Sequence, residues 1–139
     1  MKKKILIVDH DELVLDSLSA LLTSKGYQVT KCQNGVDALD FLDHERFGLV
    51  ICDLELPGIT GFDTIQSLRT TSVKLKRENA NENIPVVFTS TRTDNKMRSQ
   101  AERLAPIAFL TKPFDDTILL AIAHQVFTEV THPKKVKEG

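Results

Sequence analysis

The sequence predicts an α/β fold: a doubly wound, five-stranded parallel sheet with helices on both faces, forming one domain over residues 1–130. Three observations predict it. Short apolar runs alternate with longer segments of helical periodicity along the whole chain. The most central runs are apolar at every position, as in strands covered on both faces. The length, 139 residues, suits one such domain, which can bury enough apolar surface to fold without staples.

The elements follow in order. Ile5-Leu6-Ile7-Val8 is the first strand. From Asp11 or Glu12 to about Lys25 the pattern is helical, with Val14, Leu18, Leu21 and Leu22 on one face and Gly26 placed to end it. Residues 27–31 form the second strand. Asn34-Gly35 breaks the chain, and Ala38, Leu39, Phe41 and Leu42 mark the second helix. Residues 47–52 are the third strand, centred on Leu49-Val50-Ile51. Pro57-Gly58 and Gly61 make a loop before a third helix that begins with Phe62, Ile65 and Leu68. The polar stretch 70–83, with Lys74, Lys76 and Arg77, reads as a helix end followed by an extended loop. Pro85 leads into the fourth strand, Val86-Val87-Phe88. A fourth helix over 94–104, a fifth strand over 107–110 and a last helix over 115–127 complete the pattern. Residues 131–139 read as a polar, frayed tail with Lys134, Lys135 and Lys137 solvated.

Composition narrows the function classes. A net charge of −1 gives no field of the kind a nucleic-acid binder carries. Only four apolar residues follow the basic start before Asp9, too few for a signal peptide, and no run approaches a membrane span. Cys32 and Cys52 lie in apolar runs and form no CxxC, so they read as buried thiols in a reducing compartment. A cytoplasmic location is expected.

Parallel α/β sheets bind ligands beyond the carboxyl ends of their strands. Asp9 follows the first strand, Asp53 the third, Ser90 the fourth and Lys112 the fifth, so all four fall on that rim. Two neighbouring carboxylates need a cation or a shared proton. Hard oxygen donors suit Mg²⁺ together with a phosphate. A lysine and a hydroxyl opposite them would cradle a transferred phosphoryl group. Asp53, at the end of the most apolar central strand, is the natural nucleophile, giving an aspartyl-phosphate. Asp11 reads as a helix cap, and Asp9 taken alone is open to the same reading. Pro113 restricts Lys112 to extended geometry.

Four motifs carry a resemblance: Ile5-Leu6-Ile7-Val8-Asp9, Cys52-Asp53-Leu54-Glu55-Leu56-Pro57-Gly58, Pro85-Val86-Val87-Phe88-Thr89-Ser90 and Thr111-Lys112-Pro113-Phe114. In order and at this spacing, they resemble the signatures of response-regulator receiver domains of two-component systems over residues 3–128. The resemblance implies a flavodoxin-like fold of the chemotaxis-regulator type. It implies phosphorylation of Asp53 by a histidine kinase or phosphotransfer protein, with Ser90 and Lys112 holding the phosphoryl group. Asp9, Asp53 and the Glu55 carbonyl would hold Mg²⁺, and Ser90 and Phe109 would form the switch. An output partner would dock on the fourth helix, fifth strand and fifth helix, and a phosphorylation-linked dimer is compatible with it. No enzymatic activity beyond self-phosphorylation and dephosphorylation is implied.

Three features depart from the family pattern. His10 stands where a second acid commonly binds the metal, and imidazole is a poor Mg²⁺ ligand. Ala105-Pro106 replaces a common Gly-Ala, and 70–83 is long. His10 therefore opens an alternative, a degenerate receiver that works as a phosphorylation-independent interaction module. A phosphatase or flavin-binding redox enzyme on this fold is a third reading. Against that one, the sequence offers no second nucleophile–base pair and no Gly-rich phosphate loop. Finally, Glu55 and Arg92 lie two residues beyond Asp53 and Ser90. Their opposite charges predict an ion pair across the mouth of the site.

Overall fold

In the computed structural model, which describes residues 3–75, 79–92 and 94–129, strands and helices alternate throughout. Strands β1 (Lys4–Val8), β2 (Gln28–Cys32), β3 (Leu49–Asp53), β4 (Val86–Ser90) and β5 (Ala108–Thr111) make one parallel sheet in the order β2-β1-β3-β4-β5. Helices α1 (Glu12–Ser24), α2 (Gly35–His44), α3 (Gly61–Leu75), α4 (Asn95–Glu102) and α5 (Asp116–Glu129) connect and follow them. The chain steps outward from β1 to β2, then returns past β1 to β3. That reversal leaves a crevice at the carboxyl ends of β1 and β3.

The period of two along each strand divides the core into two layers. Leu6, Val8, Val50, Cys52, Val86 and Phe88 face Ala38 and Leu42 of α2, Ile65 and Leu68 of α3, and Ala101 of α4. Ile5, Ile7, Leu49, Ile51 and Val87 face Leu15, Leu18 and Leu22 of α1 with Leu119 and Ala123 of α5. Because both faces are covered, β1, β3 and β4 are apolar nearly throughout. The edge strands β2 and β5 are only partly buried.

The expected helix signals hold. Asp11 caps α1 by accepting from the Leu13 N–H at 2.9 Å. Gly26, at φ +95°, ends it. The Gly26 N–H bonds the Thr23 carbonyl and the Tyr27 N–H bonds the Leu22 carbonyl, the Schellman pattern. Ala105, one of the departures noted from the sequence, adopts φ +53°, a region that penalises a Cβ.

The third helix ends inside the stretch where a helix end was expected. It continues to Leu75, because 70–75 contains neither Gly nor Pro and polar composition alone does not stop a helix. Beyond it, Asn81 anchors the approach to β4. Its buried amide accepts from the Phe47 N–H at 2.9 Å and donates to the Leu42 and Glu45 carbonyls at 2.7 and 2.6 Å. Arg69 on α3 ties down the same segment through the Glu82 and Ile84 carbonyls. Lys76, Arg77, the Lys74 side chain and the 131–139 tail lie outside the described residues. Among the described residues no helix is long and apolar enough to cross a membrane.

Cys32 and Cys52 are buried free thiols, as expected. Burial, aided by the Asp37 charge, pushes the Cys32 thiol up to about 12. Burial pushes Cys52 up as well, so neither is a nucleophile at neutral pH.

Candidate functional site

The carboxyl rim brings the expected residues together. Asp9 leaves β1 into the site and Asp53 ends β3; both are buried. Lys112, after β5, reaches across the sheet and donates to Asp9 Oδ2 at 2.6 Å and Asp53 Oδ2 at 2.9 Å. Three segments far apart in sequence thus meet at one ammonium group. The remaining oxygens are held by backbone: Asp53 Oδ1 accepts from the Glu55 N–H and Asp9 Oδ1 from the Asp11 N–H, each at 2.9 Å. Asp9 is therefore a member of the site, while Asp11 caps the helix beside it.

Burial dominates the electrostatics of Asp53 and raises its carboxyl above the usual range. The Asp9 charge adds to the rise, while the Glu55 N–H and Lys112 oppose it. For Lys112, burial alone would favour the neutral amine. Its bonds to Asp9 and Asp53 outweigh that and leave it raised, hence protonated at neutral pH.

Backbone packing fixes the end of β3 from below. A Cβ at Gly61 would stand 2.2 Å from the Asp53 carbonyl oxygen and 2.9 Å from Leu54 Cα. The first residue of α3 must be Gly for the helix to start this close to the site. The sequence reading placed Gly61 in a loop and assigned it no such role.

Ser90, at the end of β4, is completely buried one residue beyond Thr89, the register partner of Asp53. Its hydroxyl donates to Glu55 Oε2, and its oxygen accepts from the Arg92 N–H at 2.9 Å. Glu55 Oε1 accepts from the Thr91 N–H at 3.1 Å and the Thr91 hydroxyl at 3.3 Å. The expected Glu55–Arg92 ion pair does not form. Arg92 instead pairs with Asp94 at 2.7 Å, two residues away, and Glu55 spends both oxygens on residues 90 and 91. Thr91 is thus a site residue that charge counting in the sequence overlooked. Phe109 packs half-buried against the α2–α3–α4 layer, with the Arg98 guanidinium 4.9 Å from its ring centre.

His10 is 58% exposed at its side chain, with Nδ1 4.0 Å from Asp9 Oδ1. Ligand atoms of Asp9, His10 and Asp53 all lie within 4.8 Å of one another. Two buried carboxylates fit a hard cation such as Mg²⁺; the imidazole contributes a weaker, neutral donor.

A family model described as the response regulator receiver domain matches residues 5–124. The chain belongs to that family. Its architecture agrees with the chemotaxis protein CheY4 of Vibrio cholerae, at a TM-score of 0.79 and 25% identity over 91% of this chain and 99% of that one. Sporulation initiation phosphotransferase F of Bacillus subtilis is 30% identical over 83% of this chain and 86% of its own length. The transcriptional regulatory protein FixJ of Bradyrhizobium diazoefficiens is 32% identical over 87% of this chain and 55% of its own. The chain spans about half the length of several curated relatives it matches, FixJ among them. Five parallel strands and five helices in the flavodoxin-like arrangement are thus a receiver domain of two-component response regulators.

Proposed function

We propose that this receiver accepts a phosphoryl group on Asp53 from a histidine kinase or phosphotransfer protein and thereby switches a partner-binding surface. The observation that carries the reading is the Lys112 ammonium bridging two buried carboxylates, Asp9 and Asp53, at the sheet's switch point. An Asp53 oxygen attacks phosphorus as the donor's N–P bond breaks. The donor nitrogen keeps the bonding electron pair. Lys112, already charged and aimed, neutralises the phosphoryl oxygens, and Ser90 donates its hydroxyl to one of them. Asp9, Asp53 and the Glu55 carbonyl would hold Mg²⁺, which supplies further charge neutralisation when bound. The domain catalyses only its own phosphorylation and dephosphorylation.

A donor must approach beside the mouth. There Leu13, 77% exposed, lines an apolar groove of about 470 Å³ with Val14, Pro113 and Phe114, reaching Lys112 and Thr91. We assign the donor's footprint to this groove. The output partner is assigned to α4, β5 and α5, where Ile107 and Ile118 are exposed. The buried free thiols support a reducing, cytoplasmic setting.

Incubation with a small phosphodonor and Mg²⁺ should add one phosphoryl mass to the wild type and none to Asp53→Asn. His10 favours one rival, a receiver too poor in Mg²⁺ to be phosphorylated that acts by interaction alone. No mass gain in the wild type at saturating Mg²⁺ would favour that rival.

A further inference from the structure

We infer that the Glu55 carboxylate is a latch that holds Ser90 and Thr91 away from Asp53 in the unmodified protein and is opened by the phosphoryl charge. The inference rests on the proposal that Asp53 is the acceptor and names a positioning residue for that reaction.

Glu55 touches both halves of the site. Its backbone N–H holds Asp53 Oδ1 at 2.9 Å. Its side chain accepts three donors from the end of β4: the Ser90 hydroxyl, the Thr91 N–H and the Thr91 hydroxyl. Ser90 is buried, and its single hydroxyl proton has two acceptors in reach, the Glu55 carboxylate and the weak thioether of Met97 at 3.6 Å, of which the carboxylate is the stronger. A hydroxyl donates only once, so it cannot serve a phosphoryl oxygen until Glu55 lets go. The bond to a charged acceptor is also of the stronger kind, so release needs a driving force.

The phosphoryl group supplies one. It places about −1.5 to −2 charge where a single carboxylate charge stood, and adds acceptor oxygens. Glu55, two residues along, is a like charge forced to share this mouth, while Ser90 gains a stronger acceptor. Both effects break the same contacts. Arg92 cannot hold Glu55 in place by pairing with it, since Arg92 is bonded to Asp94. Residues 90 and 91 therefore move toward Asp53 as Glu55 leaves, and they draw on β4 and the start of α4. In the unmodified protein the same contacts oppose spontaneous switching.

The test compares wild type, Glu55→Gln and Glu55→Ala for binding of beryllofluoride with Mg²⁺, a phosphoryl mimic, alongside amide exchange at Thr91. Glu55→Ala removes both charge and acceptor and is expected to bind the mimic about tenfold tighter. Glu55→Gln keeps an acceptor without the charge and should fall between. In the absence of the mimic, the Thr91 amide should exchange faster in Glu55→Ala, with thermal stability little changed. Equal affinities in all three proteins, or weaker binding in Glu55→Ala, would overturn the latch while leaving Asp53 as acceptor. A wild type that takes neither beryllofluoride nor a phosphoryl group would overturn the acceptor reading, and the latch with it.

Discussion

Asp53 stands between two sets of groups that are built differently. One set of partners comes from the ends of β1 and β5, which lie on opposite sides of β3 in the sheet: Asp9 and Lys112 are joined to Asp53 by contacts that span 59 and 103 residues of sequence. These groups are buried and charge-compensated, with backbone N–H groups on the free carboxylate oxygens. In the set from β4, Ser90 is buried, but its neighbours Thr91 and Arg92 are exposed and bonded to Glu55 and Asp94 rather than to Asp53. For the proposed phosphoryl transfer, the first set is placed for an incoming charge before it arrives. Under the proposed latch, the second must exchange partners. A switch needs both, because a site finished on all sides has nothing left to rearrange.

The largest effect should come from breaking the first set. Lys112→Met leaves two buried carboxylates facing each other without their cation. The expected loss is about 3 kcal/mol, the low end for a broken buried pair because Lys112 retains some contact with solvent. Denaturant unfolding without divalent ions measures it. The pH dependence sharpens the point. Lys112 has a raised folded pKa, so its pairs stabilise fully below the ordinary lysine value and are lost as pH rises through the folded one. Wild-type stability should fall in that alkaline window, and Lys112→Met should lack the step.

Next in size is His10→Asp, which adds a charged oxygen donor beside Asp9. Mg²⁺ affinity should rise about tenfold, or ~1.4 kcal/mol, by calorimetric titration. No change would show that Asp9 and Asp53 already complete the cation site. In the set that rearranges, Asp94→Ala removes the α4 cap, whose carboxylate accepts from the Met97 N–H at 2.8 Å, and frees Arg92. A small fall in thermal stability is expected, read from the melting temperature. Smallest is Arg98→Ala. It removes the cation over the Phe109 ring, an exposed contact of about 0.5–1 kcal/mol, and should loosen Phe109 in ring-flip measurements without altering the acid cluster.

What the sequence could reveal divides along the same line. Strand alternation put Asp9, Asp53, Ser90 and Lys112 on one rim, because a parallel sheet sends every strand's carboxyl end the same way. Asp11 as cap and Gly26 as stop were legible because their causes are local. The partners of Glu55 were not. Opposite charge suggested Arg92, yet Asp94 sits two residues from Arg92 and takes it first, leaving Glu55 to neutral donors. Sequence position gives the rim; it does not give the direction of a side chain on a loop. Asn81 was hidden for a related reason, since an asparagine in a polar stretch reads as solvated until the Leu42 and Glu45 carbonyls are found around it.

The contrast itself can be measured directly, by amide chemical shifts at saturating Mg²⁺ with and without beryllofluoride. The account predicts large changes at 90–92 and at Phe109, and small ones at 9–11. Large changes at 9–11 with 90–92 unmoved would contradict it.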